Sequence, residues 1–473
     1  MSGKAKIIRK IVFDAEVRNE SPLQISSGID DGLTDILILK NKDGQAYIPG
    51  TSLTGVLRDE ISGIYGREAA GRLFGAIDTG ADSQSMITIN DIILENADII
   101  VRDGVAIDEL TGVGRKGAKF DYEALERGAC GRLHMEMTIR QADEEPGRDC
   151  IKPVHKDFAA KGDVYGDMAA SIADIITGGI KLGALTAKGY GRVASVSPAV
   201  FYDFVFTDSA AAQAWLDFIT GGSLPGKPSY EGSAGSAAKA AEDLYITLDC
   251  ALKSSLLVRE YDVDAAHAAD KIMAVQMKSG SDYVIPGTSV KGVLRGRAYK
   301  MLLDMCGDEN KTQKFLGSVM GWSADNDKKG VKSRLEVDEI YIKPDKLQAM
   351  KHSRNRIDRF TGGTVESALF TEEPVWQQDK DKTTLTFRLR VKECTEAEAG
   401  LMLLLVKDIW LGSLCVGAGK SIGRGVMSGR RCTIDYRGSS WTIDGSSSFS
   451  VEGDKEQLEK YVEALGGEMN GKQ

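Results

Sequence analysis

The sequence predicts an α+β protein built as two tandem copies of one sheet-and-helix unit, and three observations predict it. Blocks of sequence recur in the same order, each copy opens with an alternation of apolar and polar residues, and apolar helical segments fall between further alternating stretches. The first block is IPGTSLTGVLR at 48–58 against IPGTSVKGVLR at 285–295, identical at nine of eleven positions. The second is Ile107-Asp108-x-x-Thr111-Gly112, seven residues, then Phe120, against Ile357-Asp358-x-x-Thr361-Gly362, seven residues, then Phe370. The third is Gly183-Ala184…Gly189-x-Gly191 against Gly417-Ala418…Gly423-x-Gly425. The offsets are 237, 250 and 234 residues, so the chain is a tandem duplication.

The elements of a copy follow in order. Phe13, Ala15 and Val17 alternate with Asp14, Glu16 and Arg18, and Ile246, Leu248, Cys250 and Leu252 alternate in the second copy. Period two predicts a half-buried strand with one wet face. In each IPGTS block proline and glycine end a strand, Thr51-Ser52 or Thr288-Ser289 can cap a helix, and Val56-Leu57 or Val293-Leu294 begin its apolar face. LHMEMTI and LTFRLRV read as strands, each followed by a helix (MAASIADII, EAGLMLLLVKDIWL) and then by the Gly-rich segment. Strand, helix, strands, helix, strand is the order of a ferredoxin-like, RNA-recognition-type sheet. The expected organisation is a first domain over 1–200, a linker with a short helix over 201–243, a second domain over 244–436 and a C-terminal extension over 437–473. Residues 220–242 are rich in Gly, Ser and Ala.

Composition bounds the function. The 473 residues are 42% hydrophobic and 27% charged, an ordinary globular balance. A net charge of −9 argues against coating nucleic acid non-specifically and leaves room for a local basic groove. No apolar stretch reaches the roughly 18 residues a membrane helix needs, so no membrane partner is expected. The N-terminus has no signal-peptide pattern and seven cysteines are too few for a disulfide scaffold, so the expected setting is cytoplasmic. GAGKS is not a phosphate-binding loop, because Leu414 stands where that motif needs glycine.

Together these blocks resemble the RAMP superfamily of CRISPR-Cas proteins, and most closely the backbone subunits of type III effector complexes; two units on one chain are similar to the double-backbone fusion subunit of type III-D systems. The resemblance implies ferredoxin-like cores with inserted hairpins and Gly-rich loops, stacking with other type III effector subunits along a CRISPR RNA. It also implies a loop aspartate that cleaves complementary target RNA with Mg²⁺ or Mn²⁺.

Candidate RNA-binding residues follow the blocks. Ser52 and Arg58, and Ser289, Lys291 and Arg295, lie in the IPGTS segments, where a helix N-terminus can receive a phosphate. Lys188, Arg192, Lys420 and Arg424 lie in the Gly-rich ends, whose amides can approach a phosphate closely. Residues 343–360 hold six Lys or Arg against two Asp, and there His352, Arg354, Arg356 and Arg359 fit guide-RNA contacts. The matching stretch of the first copy, VRDGVAIDELTG, carries Arg102 against three acids and is expected to bind guide more weakly or meet a protein neighbour.

The family's catalytic aspartate precedes a short apolar strand leading to IPG, which Asp35 matches; Asp30 and Asp31 are neighbours in the same loop. A carboxylate beside a scissile phosphate can bind the divalent ion and stabilise developing charge. Asp270 is the best match in the second copy, with Asp262 and Asp264 nearer the loop tip. Cys130, His134, Cys150 and His155 have a spacing that could close a zinc site, without a CxxC pair. Three functions fit: a guide-binding backbone that cleaves target RNA, the same scaffold without catalysis, and a nuclease that processes precursor guide, for which His352 is the candidate base.

Overall fold

The alternating segment that opens each copy is the central strand of a sheet in a computed structural model, which describes residues 6–28, 34–76, 84–143, 153–234, 242–260, 272–322, 330–366, 368–378, 384–445 and 448–471. The main elements of the first copy are β1 (Ile7–Asn19), α1 (Gly50–Tyr65), β2 (Ile87–Ile89), β3 (Ile99–Ile107), β4 (Gly114–Leu125), β5 (Cys130–Arg140), α2 (Val164–Gly178), β6 (Arg192–Ser195), β7 (Val200–Val205) and α3 (Ser209–Gly221). Those of the second are β8 (Leu244–Leu252), α4 (Gly287–Cys306), β9 (Leu335–Val337), β10 (His352–Arg354), β11 (Phe370–Glu373), β12 (Leu385–Val391), α5 (Glu396–Trp410), β13 (Met427–Tyr436), β14 (Ser439–Asp444) and α6 (Lys455–Asn470).

The two sheets repeat one antiparallel order. In the first copy it is β2-β5-β1-β6, with Ile87 opposite Met137, Phe13 opposite Met135 and Arg18 opposite Ala194. In the second it is β9-β12-β8-β13, with Leu335 opposite Val391 and Leu248 between Phe387 and Cys432. Chain contacts divide the molecule into two units: Met1–Asp103 with Phe120–Thr186 and Tyr190–Ala240, and Gly104–Lys119 with Ala187–Gly189 and Ala241–Gln473.

Period two places the core as the alternation demands. Ile11, Phe13, Ala15 and Val17 are buried beside α1 and α2 residues such as Leu57 and Ile172. The wet face is narrower than expected, since Val12 is also fully buried. Helix α3 explains this: Trp215 meets Phe204 edge-on at 5.4 Å and lies under the Lys10 ammonium at 5.1 Å. Phe218 approaches His134 at 6.3 Å, again on the polar side of β1 and β5. A second cluster, including Leu248, Phe387, Leu401 and Trp441, fills the other copy, and α6 closes it with Tyr461, Leu465 and Met469.

The helices after IPG begin one step earlier than the cap residues suggested. Their N-caps are Pro49 and Pro286, and neither has a side-chain cap; Thr51-Ser52 and Thr288-Ser289 lie inside the first turn. Proline presets the entry angle (φ −61° in both), so no hydroxyl is needed there. In the first copy the Gly50 amide instead donates to Asp91 Oδ1 at 2.8 Å.

Candidate nucleic-acid interface

The recurring blocks have structural reasons of their own. In the second block the aspartate closes its turn: Asp108 Oδ1 accepts from Thr111 N and Oγ1, both at 2.8 Å, and Asp358 Oδ1 from Thr361 N at 2.9 Å. These bonds hold both carboxyls below the usual range. In the third block the chain doubles back on itself so closely that a Cβ at Gly191 or Gly425 would sit 1.8 Å from the carbonyl oxygen of Leu182 or Val416. Four amides of these ends are bonded within the fold. Gly191 N donates to Pro22 O and Gly425 N to Ser255 O, each at 2.7 Å, and Ala184 N and Ala418 N to Gln24 O and Leu257 O. Asp91 likewise occupies the first-copy helix N-terminus with a carboxylate, where an incoming phosphate would be repelled.

What the blocks do is converge. In the first copy Ile36, next to Asp35, pairs with Tyr122 of β4 and shares a small cluster with Ile100, Leu185 and Tyr190. The Tyr122 and Tyr190 hydroxyls are 3.0 Å apart, and buried Arg102 donates to Tyr190 Oη at 3.1 Å. Asp35 is exposed; its Oδ2 accepts from the Asp121 amide at 3.0 Å, which steadies the carboxylate beside β4. Loop, hairpin and Gly-rich end thus meet at one place.

The second copy brings the same three segments together with different chemistry. Buried Glu372 of β11 accepts from Arg424 of the Gly-rich end at 2.8 Å, from Arg259 of the first loop at 2.9 Å, and from Arg354 of β10. Burial works to raise the Glu372 carboxyl, but the hydrogen bond from Arg424 and the three positive charges outweigh it and hold it low. Arg354 also lies over the Phe370 ring at 5.0 Å. Sequence reasoning found Arg354 and Arg424 but missed Glu372 and Arg259, which join them across 18 to 165 residues of chain.

The other candidates are placed as follows. Arg58, Arg356, Arg359 and Lys420 are exposed, and Ser52, Ser289 and Lys188 are half-buried. His352 is half-buried with its ring 4.8 Å from Trp376. Arg192 pairs with Glu20 at 2.7 Å and donates to the Gly178 carbonyl, and Arg295 donates to Gly321 O at 2.8 Å. The Lys291 side chain is buried, and its ammonium donates to Ser333 Oγ at 2.6 Å and Leu335 O at 3.1 Å, which ties α4 to β9. Asp30, Asp31, Asp262, Asp264, Asp270 and Cys150 lie outside the described residues.

The remaining zinc candidates are dispersed among other partners. Cys130 Sγ accepts from Arg18 Nε at 3.3 Å, and His134 faces Glu136 at 3.4 Å. His155 is held between Asp167 and Asp174 of α2, each at 2.9 Å. Burial opposes charge on this imidazole, but the two carboxylates prevail and push its pKa up to about 9. Among the described residues no three His, Cys, Asp or Glu side chains gather as metal ligands.

The profile of the RAMP superfamily matches residues 16–194 and again 266–428, most of the chain, in two separate regions. The chain belongs to the RAMP superfamily. Membership makes it a CRISPR-associated RNA-binding protein, and the double match agrees with two tandem RAMP units. No curated protein matches the chain. Among the described residues of this RAMP protein no helix is long and apolar enough to cross a membrane.

Proposed function

We propose that this RAMP protein is a guide-binding backbone subunit of a type III effector complex, and that its first copy also cleaves complementary target RNA at Asp35. The observation that carries the reading is the convergence, in both copies, of the loop before IPG, the hairpin and the Gly-rich end. The strand orders β2-β5-β1-β6 and β9-β12-β8-β13 support the finer description of each core as ferredoxin-like. The domain boundaries inferred above, near residues 200 and 243, go with it. CRISPR RNA, complementary target RNA and other effector subunits are the partners.

Asp35 suits the chemistry because it is exposed and anchored through one oxygen only. Oδ2 takes the Asp121 amide, and Oδ1 has no hydrogen-bond partner among the described residues. A single carboxylate with substrate phosphate oxygens is enough to hold Mg²⁺ or Mn²⁺. When bound, such an ion would stabilise the charge developing on the phosphate. The protein supplies no nucleophile in this scheme: the 2′-hydroxyl of the target gives up its proton to solvent as its oxygen bonds to the adjacent phosphorus, the P–O5′ bond breaks, the 5′-oxygen takes a proton from solvent to leave as a hydroxyl, and a 2′,3′-cyclic phosphate remains. Asp35 acts by position, held beside β4 where the guide-paired strand would pass.

Asp35→Ala is expected to leave guide binding and assembly unchanged and to slow one cut in complementary RNA by about a hundredfold or more. Cleavage is followed on end-labelled target with Mn²⁺, and chelation should suppress it. Wild-type complex that binds target with Mn²⁺ and never cuts would favour the scaffold function. A cut that persists in Asp35→Ala would move the chemistry to another residue.

A further inference from the structure

We propose that Glu372 is a positioning residue that builds, in the second copy alone, a preformed arginine fork for one RNA phosphate. The proposal rests on the RNA-binding reading above and adds that the two copies grip by different means.

The geometry has three parts. Glu372 and Arg424 form a buried base, each side chain 5% exposed and 2.8 Å from the other. Arg259 and Arg354 rise from the same carboxylate with 43% and 31% of their side chains exposed. Among the described residues, one carboxylate is hydrogen-bonded by three guanidiniums, an excess of two positive charges within the cluster, and Arg354 Nε is buried without a hydrogen-bond partner. Guanidinium donors match phosphate oxygens in geometry, and donors fixed beforehand lose less entropy when the anion arrives.

The internal repeat supplies the control. Alignment of Gly423 and Gly425 with Gly189 and Gly191 sets Tyr190 against Arg424, and alignment of Phe370 with Phe120 sets Tyr122 against Glu372. Ile357 against Ile107 sets Gly104, Ala106 and Glu109 against Arg354, Arg356 and Arg359. The carbonyls of Gln24 and Leu257, which accept from Ala184 and Ala418, set Ser26 against Arg259. Every arginine of the fork is therefore uncharged in the first copy, where the carboxylate–guanidinium pair is replaced by two tyrosines in hydroxyl contact. Arg102, the guanidinium bonded to Tyr190, is buried beneath that ring.

Glu372→Gln separates this idea from charge counting, which expects tighter RNA binding once a negative charge is gone. Positioning expects the reverse, because the three guanidiniums lose their common anchor. The probe is a mixed-sequence single-stranded RNA oligonucleotide, bound to the full chain and followed by anisotropy across a KCl series. Glu372→Gln should weaken binding several-fold, with Glu372→Asp recovering part of the loss. Arg354→Gln should lower the slope of log affinity against log salt by about one, and Arg102→Gln should leave that slope unchanged. Tighter binding by a folded Glu372→Gln protein, or an equal slope loss in Arg102→Gln, would overturn the proposal. Should Glu372→Gln not fold, the comparison of Arg354→Gln with Arg102→Gln still decides. Wild-type protein that does not bind the oligonucleotide at about 50 mM salt would instead sink the RNA reading itself.

Discussion

Replacing His155 with leucine is expected to destabilise the first unit by about 3–5 kcal/mol, because it strands two buried carboxylates. Asp167 and Asp174 have side chains only 1% exposed, and the imidazole between them is 11% exposed. The network extends to every element around it. Tyr65 of α1 donates to Asp167 and meets Ser171, Tyr230 donates to Asp174, and the Val154, His155 and Ser233 amides complete the two carboxylates. Its pH dependence has a definite sign. The imidazolium is charged in both states below about pH 6.5, the unfolded value, so its contribution is full there. Between that pH and about 9 the unfolded chain releases the proton while the folded protein keeps it, and stability falls as pH rises. The accumulated loss is about 3 kcal/mol. Hydrogen exchange of the α2 amides, read at pH 6 to 10, should show this slope in wild type and not in His155→Leu. An α2 that exchanges no faster in the variant at pH 6 would refute the assignment.

Gly425→Ala carries the second large effect. Gly425 has φ +73°, and the new methyl would meet the Val416 carbonyl oxygen at 1.8 Å, backbone against backbone, with nothing flexible to yield. Left-handed strain and overpacking together should cost about 4 kcal/mol. Gly423 is the control: its φ is +80° but no atom lies within 4 Å of a built Cβ, so alanine there should cost only about 1 kcal/mol. Urea unfolding of both variants measures the difference. Equal losses would mean that strain alone, and not the close carbonyl, makes glycine necessary.

These residues mark how far the sequence could be read. Patterns local in the chain came through: the period-two strands around Phe13 and Leu248, the helix starting after each IPG, and the duplication itself. The wet side of β1 was misjudged because α3, some 200 residues later, covers it. Partners drawn from distant segments leave no local signal in the sequence. Arg354 and Arg424 looked like free cations because Glu372 lies 18 and 52 residues away from them. His155 entered the sequence reading through its spacing with Cys130, His134 and Cys150. A signal for its carboxylate partners was also present: Asp167, Ser171 and Asp174 at helical spacing in an otherwise apolar segment, a buried polar stripe that requires a partner.

Carrying both copies on one polypeptide has a consequence for how they could diverge. Identical subunits drawn from a shared pool are interchangeable, so a change in one is tried at every location at once. Here the linkage fixes stoichiometry at one to one and fixes the order of the halves. The tyrosine pair Tyr122–Tyr190 and the ion pair Glu372–Arg424 can therefore persist side by side in a lineage, each inherited with its own address.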